Sequence, residues 1–359
     1  MTEAVISAPY KALIKTFVTT AFLLFSFTIS FAQNEAEEHV EEENPTGFIM
    51  HHIKDAHEWH FATIGNKHIT IPLPVILYSP DRGLELFMSS DFVDPVTHER
   101  VWHAGYTIDE HEHVVAQDPS RTFYNFSITK NAAMLFLTIL VVAFLALKAA
   151  RHYKKHPNTA PKGVAAFIEP LVIFIRDEIA KPNIGPKYKR YLPYLLTLFF
   201  FILVANIMGL MPGAANLTGN IAVTFVLAVI TFIITNVSGN KEYWKHVFAT
   251  PGVPFYILPV MVVVEFIGLF TKPFSLMIRL FVAITAGHIV ILSLIGLNFI
   301  FTSYAVGVAS SLLVVFINII ELLVATIQAY VFTLFSSMYI GAAVQEHHHS
   351  DDDVDKALI

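Results

Sequence analysis

The chain has 359 residues, of which 55% are apolar and 14% are charged, and its formal net charge at pH 7 is −6. Soluble domains seldom have this balance because an exposed surface needs polar side chains, so the composition predicts a protein with several membrane spans. The basic residues are scattered through short loops, which argues against a nucleic-acid-binding face. The absence of cysteine excludes disulfides, thiolate catalysis and thiolate metal ligands.

The N-terminal segment has the pattern of a secretory signal peptide. Lys11 and Lys15 precede an apolar run over residues 17–29, and small residues follow that run. Because the run is short for a spanning helix, we interpret residues 1–32 as a cleaved signal peptide, with a signal anchor as the alternative. The acidic residues 35–43 are typical of a solvated tether.

Residues 33–130 are predicted to form a small exported region on the periplasmic side. Proline, glycine and short alternating runs such as residues 68–71 indicate some β structure in this region. Its apolar runs are too short to span a bilayer. We therefore expect a small domain in front of the first membrane span.

Apolar segments follow at residues 131–150, 191–211 and 220–237, and each is near the length of about 20 residues that a bilayer core requires. The loop between the first two segments contains the basic residues Arg151, Lys154, Lys155, Lys187, Lys189 and Arg190. By the positive-inside rule this loop is predicted to be cytoplasmic. Within it, residues 164–180 have the spacing of an amphipathic helix that lies along the cytoplasmic surface.

The last apolar stretch, residues 253–343, is longer than two upright spans require and contains one turn signal near residues 302–307. It predicts two long, steeply tilted helices that form an antiparallel hairpin. We favour one bent helix through Lys272 and Pro273 over a loop between two separate spans.

The predicted fold is therefore an all-α polytopic membrane protein with about five transmembrane helices and a small N-terminal exported region with some β structure. The membrane domain is predicted over residues 131–345. An acidic, His-rich tail over residues 346–359 is predicted to be cytoplasmic, because the number of spans returns the chain to that side.

Few ionisable side chains interrupt the last apolar stretch. They are Glu265, Lys272, Arg279, His288 and Glu321, with the amide Gln328 beside them. A charge at the bilayer centre costs roughly 2.5–3.5 kcal/mol on insertion scales, so each of these residues is a functional candidate. At about 3.6 residues per turn, the first three lie near one helix face, His288 points to the opposite face, and Glu321 shares a face with Gln328. The alternatives are that Lys272 snorkels to an interface and that His288 and Glu321 are structural interior groups.

Several motifs in this part of the chain resemble the signature of subunit a of F-type ATP synthases. They are Ser275-Leu276-Met277-Ile278-Arg279-Leu280-Phe281, Ala286-Gly287-His288, Ile327-Gln328-Ala329-Tyr330-Val331-Phe332, Asn206-Ile207-Met208-Gly209-Leu210-Met211-Pro212 and Asn220-Ile221-Ala222-Val223-Thr224. The likeness covers about residues 126–345, and the motifs occur in the order that the family has. The signal peptide and the exported region are more loosely similar to those of some bacterial members.

The resemblance implies roles for the intramembrane residues. Arg279 matches the essential arginine of the family, Gln328 matches the neighbouring glutamine on the last helix, and Glu265 matches an acidic residue associated with the proton path. His288 and Glu321 match a pair of polar positions that some members have as Glu and then His. Here the order is His and then Glu, so the path keeps one imidazole and one carboxyl group.

The resemblance also implies the function of a proton-translocating subunit in the cell inner membrane. It would provide two offset half-channels to a rotating c-ring, and Arg279 would prevent a proton short-circuit and so couple proton flow to ATP synthesis. The small residues Ala283, Ala286 and Gly287 let another helix approach closely, and the resemblance makes the ring that helix partner. Many members have Asn at the position of Ala283, so a side-chain hydrogen bond is not available there.

The partners that the resemblance implies are the c-subunit ring, b-type peripheral stalk subunits, the whole ATP synthase complex and the lipid bilayer. The chain itself would have no catalytic residues and no cofactor, because partner subunits carry out the ATP chemistry, and no GxxxxGK[ST] phosphate loop is present in it. A self-contained secondary ion transporter is the alternative, but its two halves should echo each other, and no such repeat is visible. A non-transporting scaffold would leave the isolated Arg279 unexplained.

Histidines are clustered in the predicted exported region and in the tail. They are His51, His52, His57, His60, His111 and His113, and then His347, His348 and His349. Imidazoles together with carboxylates can bind zinc or copper, but the spacing here matches no strong metal motif. We predict a solvated or proton-buffering surface and no metal site.

Overall fold

A computed structural model describes residues 55–64, 67–94, 100–109, 112–118, 120–155, 160–211, 214–248, 254, 256–301 and 304–344. The predicted signal peptide, the acidic tether and the His-rich tail lie outside the described residues, as do His51, His52 and His111. The chain forms two compact units. One comprises residues 1–144, 203–220 and 283–326, and the other comprises residues 145–202, 221–282 and 327–359.

The first unit begins with short antiparallel strands, which confirms the predicted β structure. The strands are β1 (Glu58–Ile64), β2 (Lys67–Pro72), β3 (Pro74–Ser79), β4 (Gly83–Met88), β5 (Tyr106–Ile108), β6 (Val114–Ala116) and β7 (Tyr124–Asn125). β1 pairs with β2, β3 lies between β4 and β7, and β5 pairs with β6. Alternation along β3 buries Val75 and Leu77, which pack with Phe92, Tyr106 and Ile108 in a small core.

Backbone hydrogen bonds join this β domain to the first long helix, α1 (Lys130–Lys155). The Lys130 N–H donates to the Ala56 carbonyl at 2.8 Å, and the Asn131 N–H donates to the Asp55 carboxylate at 3.0 Å. A carboxylate at a helix N-terminus satisfies a free N–H and interacts favourably with the helix dipole. The domain is therefore attached directly to the start of α1.

The remaining helices follow α1 in the described part of the chain. They are α2 (Val164–Phe174), which continues as a π-helical segment (Ile175–Ala180), α3 (Lys181–Ile184), a 3-10 turn (Gly185–Lys187), α4 (Tyr188–Gly209), α5 (Ile221–Val237), α6 (Lys241–Phe248), α7 (Leu258–Phe301) and α8 (Tyr304–Val344). By length and apolar composition, the described chain has four candidate membrane spans, or five if α5 and α6, bent by 105°, count as one. This confirms the predicted polytopic helical fold.

The helical segment predicted over residues 164–180 is present as α2 and the π-helical segment. Gly185 then adopts a φ of 72°, and this non-helical conformation breaks the helix before α4 begins. Glycine takes it readily because it has no Cβ. The position of α2 along the cytoplasmic surface stays a prediction.

The last apolar stretch forms a pair of long helices, as predicted. α7 has 44 residues and runs through Pro273 without a break, so the structure confirms one helix at that point. Lys272 contacts Tyr339 and Arg279 contacts Phe335, so a later residue of α7 meets an earlier residue of α8 and the two helices are antiparallel. Their steep tilt relative to a membrane stays a prediction.

Candidate functional site

Arg279 lies on α7 and is half-buried. Its guanidinium lies over the ring of Phe335 on α8, 4.3 Å from the ring centroid, a cation–π geometry that fixes the group without neutralising it. Among the described residues, no carboxylate lies within ion-pair distance of this guanidinium. Arginine stays protonated in proteins, so the site holds a permanent positive charge on an apolar helix.

His288 and Glu321, which the sequence placed on separate helices, meet in the structure. His288 Nδ1 lies 3.0 Å from Glu321 Oε1, and the two side chains are 22% and 2% exposed. A buried carboxylate is costly unless a partner compensates it, and an imidazole can do so by donating a hydrogen bond or a positive charge. The distance between the two atoms is within the range of a hydrogen bond.

Gly287 makes the close approach of these two side chains possible. A Cβ on residue 287 would lie 2.8 Å from Glu321 Oε1. This distance is shorter than a normal van der Waals contact between carbon and oxygen. Gly287 therefore faces α8 in the structure. The two alanines of the same predicted patch differ from it: Ala286 is exposed and Ala283 is half-buried.

The sequence analysis gave no role to Asn206 on α4, which lies beside this pair in the same unit. Asn206 is 1% exposed; its Nδ2 donates to the Ala325 carbonyl at 3.0 Å, and its Oδ1 accepts from Thr218 Oγ1 at 2.7 Å. An Asn in the last turn of an apolar helix was the available signal. Its partner Ala325 was not readable because it lies 119 residues away in the chain.

The second unit holds the polar groups near the start of α7. Glu265 Oε1 lies 3.8 Å from His246 Nδ1 of α6. A small cavity nearby is lined in part by Asn236, Tyr243 and Lys272, and the Tyr243 hydroxyl donates to Asn236 Oδ1 at 3.3 Å. These groups form a polar wall in a largely apolar unit.

Lys272 and Arg279 both face aromatic rings of α8, with the Lys272 Nζ 5.8 Å from the Tyr339 ring centroid. Gln328 is half-buried on α8, and its side chain hydrogen-bonds to none of the described residues. The structure thus joins His288 to Glu321 and Glu265 to His246, while Gln328 has no polar partner in the described part of the chain.

Within the described residues, no three His, Cys, Asp or Glu side chains are close enough to hold a metal ion. Two histidines of the N-terminal domain have a single carboxylate neighbour each: His57 lies 3.6 Å from Glu112 and His113 lies 3.8 Å from Asp109.

Comparison with known proteins identifies two regions of similarity. The family described as ATP synthase A chain matches residues 132–341, and a domain of unknown function, DUF8433, matches residues 48–135. The boundary between the two matches coincides with the start of α1.

Individual relatives agree with the family match. The chain is 46% identical to ATP synthase subunit a of Chloroherpeton thalassium over 233 residues, covering 64% of this chain and 70% of the relative. It is 42% identical to ATP synthase subunit a 2 of Chlorobaculum tepidum over 317 residues, covering 86% of this chain and 75% of the relative. The second alignment is long enough to include part of the N-terminal domain.

Proposed function

Because this chain belongs to the ATP synthase A chain family, the subunit a family of F-type ATP synthases, we propose that it passes protons between two offset half-channels and a c-ring, with Arg279 as the barrier between them. Family membership and the apolar helices make the chain a multi-pass membrane-sector subunit with a proton-channel role in the ATP synthase complex. The half-channels, the roles of individual residues and the c-ring and b-type stalk contacts are parts of the proposal.

The observation that carries the proposal is the state of Arg279. Its charge is held by an aromatic face and not by a carboxylate of the described chain, so the guanidinium is available to an incoming carboxylate of the ring. There it stabilises the ionised form of that carboxylate, because an opposite charge within about 4–6 Å lowers a carboxyl pKa. The same charge repels protons that would pass directly between the half-channels.

The His288–Glu321 pair is proposed as the relay of the half-channel on the exported side. If residues 33–130 are exported, then the turn between α7 and α8 faces the same side, and this pair lies on that half of both helices. The 3.0 Å contact lets a proton move between imidazole and carboxyl group without a large movement.

The polar wall around Glu265, His246 and Tyr243 is proposed to line the cytoplasmic half-channel. These groups belong to α6 and the start of α7, which lie toward the predicted cytoplasmic side. Each proton that crosses the membrane releases about 2.3 kcal/mol per 100 mV of membrane potential. A direct path between the two half-channels would therefore dissipate the energy that drives ATP synthesis.

Replacing Glu321 by Gln tests the proposed relay, because the amide has the shape of the carboxyl group but does not titrate. We expect proton-driven ATP synthesis in membrane vesicles to fall by about 100-fold or more, the range for removal of a proton-transfer group. Co-purification of the partner subunits measures assembly. The matched control is Ser293→Ala, because the Ser293 hydroxyl only donates to the Ile289 carbonyl within α7. A Glu321→Gln complex that makes ATP at the rate of the control would refute the relay.

A further inference from the structure

A buried polar chain links a loop, helix α4 and helix α8. Thr218, in the short 3-10 turn Leu217–Gly219, is fully buried, and so is Ala325. The Thr218 hydroxyl donates to the Asn206 side chain, whose amide then donates to the Ala325 carbonyl. Asn206 and Ala325 are 119 residues apart in sequence, so this is a tertiary link between distant elements.

The link reaches α8 one helical turn after Glu321. Within a regular helix the carbonyl of Ala325 also accepts the N–H of the residue four positions later, so the bond from Asn206 is an additional one. Such a bond resists both rotation of α8 about its axis and sliding along it. Glu321 itself packs against Gly287 of α7, where an added Cβ would lie 2.8 Å from Glu321 Oε1.

We propose that Asn206 and Thr218 are positioning residues, which hold α8 at the rotation and depth where Glu321 meets His288. The inference rests on the proposed relay of these two residues. Groups that exchange a proton must be held within about 0.5 Å and 10–20° of the productive geometry. Neither positioning residue touches the proton itself, because the Asn206 amide bonds to the backbone of α8 and not to the Glu321 side chain.

The choice of a buried amide at this point has a physical reason. An apolar side chain of the same size would fill the space between α4 and α8 without defining a register. Asn206 has a donor and an acceptor that are both used, and a buried amide that loses either partner is destabilised. The Ala325 carbonyl fixes which end of the amide points to α8, because a carbonyl only accepts and must face the Asn206 NH2 group. The Asn206 oxygen is then left to accept from the Thr218 hydroxyl.

The test compares Thr218→Val with Thr218→Ser in the assembled complex. Valine has the shape of threonine but leaves the Asn206 oxygen without its donor, whereas serine keeps the hydroxyl. Proton-driven ATP synthesis is measured in vesicles as a function of the pH on the exported side, per amount of assembled complex. A misplacement of about 1 Å costs on the order of 100-fold in rate, so we expect Thr218→Val to lose about tenfold or more.

We also expect the pH midpoint of Thr218→Val to shift, because a changed His288–Glu321 separation changes how the pair shares its proton. Thr218→Ser should reproduce the parent in rate and pH profile. Asn206→Leu should show the same shift as Thr218→Val, since it removes both bonds of the link. A merely structural role would lower the yield of complex without moving the pH profile.

The outcomes separate this inference from the proposed function. If Glu321→Gln abolishes synthesis while Thr218→Val keeps the parent's rate and pH profile per complex, the positioning role is wrong and the relay stands. The same conclusion follows if Thr218→Val only lowers the yield. If Glu321→Gln keeps the parent's rate, both the relay and the positioning role are wrong.

Discussion

At the scale of single residues, Arg279 and Glu321 show opposite solutions for a charged group in an apolar surrounding. The guanidinium keeps its charge over the Phe335 ring, while Glu321 is enclosed next to an imidazole. The first arrangement suits a fixed charge, because arginine does not deprotonate. The second suits a group that exchanges a proton, because the carboxyl oxygen lies within hydrogen-bond distance of an imidazole nitrogen.

Gly287→Ala is predicted to impair proton transport by displacing Glu321. The added methyl group would lie 2.8 Å from Glu321 Oε1 and 3.3 Å from its Cγ, so the carboxyl group must move away from His288. We expect at least about a tenfold loss of ATP synthesis in vesicles, given the cost of small misplacements.

The matched control for this change is Gly296→Ala, also on α7. A Cβ at Gly296 would meet nothing within 4 Å, and alanine favours a helix by up to about 1 kcal/mol over glycine. This control should retain parental activity. Equal activities of the two variants would show that the Gly287 contact with Glu321 has no role in transport.

At the scale of elements, the C-terminal end of α8 is fixed by several contacts within the second unit. The Ser337 hydroxyl donates to the Ile179 carbonyl at 3.2 Å, and Asn240 Nδ2 donates to the Val344 carbonyl at 2.7 Å. Gly341 packs directly on the backbone of Asn183. The π-helical segment that contains Ile179 is thus part of the packing surface for α8.

Gly341→Ala is predicted to destabilise this packing. A Cβ at Gly341 would overlap the Asn183 carbonyl oxygen, and backbone atoms cannot turn away as a flexible side chain does. Overpacking of this kind costs about 1–3 kcal/mol. We expect a lower midpoint for thermal unfolding of the detergent-purified protein, followed by loss of the helical circular dichroism signal.

Gly268→Ala, in α7 of the same unit, is the comparison, because a Cβ there would meet nothing within 4 Å. Its unfolding midpoint should match or exceed that of the parent. If Gly341→Ala unfolds at the same temperature as Gly268→Ala, the close contact with Asn183 does not limit the packing of α8.

Much of this architecture was predictable from the sequence because long apolar runs admit few structures in a bilayer. The helix through Pro273 followed from unbroken apolar character on both sides of Lys272. The roles of Arg279 and the polar pair stay predictions that rest on motif resemblance. The π-helical segment Ile175–Ala180 and the break at Gly185 were not predicted, because they depend on packing against other helices.

The Asn206 link was not predictable for a related reason. Each of its hydrogen bonds joins parts of the chain whose contact is set by helix packing and not by local spacing. The pairing of Glu265 with His246 was likewise outside the reach of periodicity, because the two residues belong to different helices. Helical spacing identifies which residues share a face, whereas it does not identify what that face meets.

At the scale of the whole molecule, the N-terminal domain has its own core and a partly buried ionic cluster around Glu112. Glu112 accepts a hydrogen bond from the His57 N–H at 3.1 Å, and the Arg100 guanidinium is its ion-pair partner. Burial raises the pKa of Glu112, but the hydrogen bonds from His57 and Arg100 outweigh burial and lower it from 4.5 to about 2.

This shift predicts acid sensitivity of the domain. Because the pKa of Glu112 is lower in the folded state, the ionised group stabilises the fold above about pH 4.5, and that stability is lost as the pH falls toward 2. We expect the urea midpoint of unfolding to fall as the pH is lowered over this range. Trp102 fluorescence follows the unfolding in a variant in which Trp59 and Trp244 are replaced by Phe. Glu112→Gln should lose much of this dependence. Parallel pH curves for both proteins would contradict the role of Glu112.

The proposed orientation is directly testable because the chain has no native cysteine. We expect a membrane-impermeant maleimide to label Asp81→Cys, in a turn of the N-terminal domain, in intact spheroplasts. Lys154→Cys, at the end of α1, should be labelled only after the membrane is opened. The reverse pattern would place the N-terminal domain in the cytoplasm and exchange the sides of the two proposed half-channels.

The central claim is that Arg279 separates the two half-channels, and Arg279→Ala tests it most directly. Proton-driven ATP synthesis is measured in membrane vesicles, with assembly checked by co-purification of the ring and peripheral subunits, beside Arg151→Ala as a control at an exposed arginine. The account predicts an assembled complex in which ATP synthesis is abolished, while the control retains parental synthesis. Near-parental synthesis by an assembled Arg279→Ala complex would contradict it.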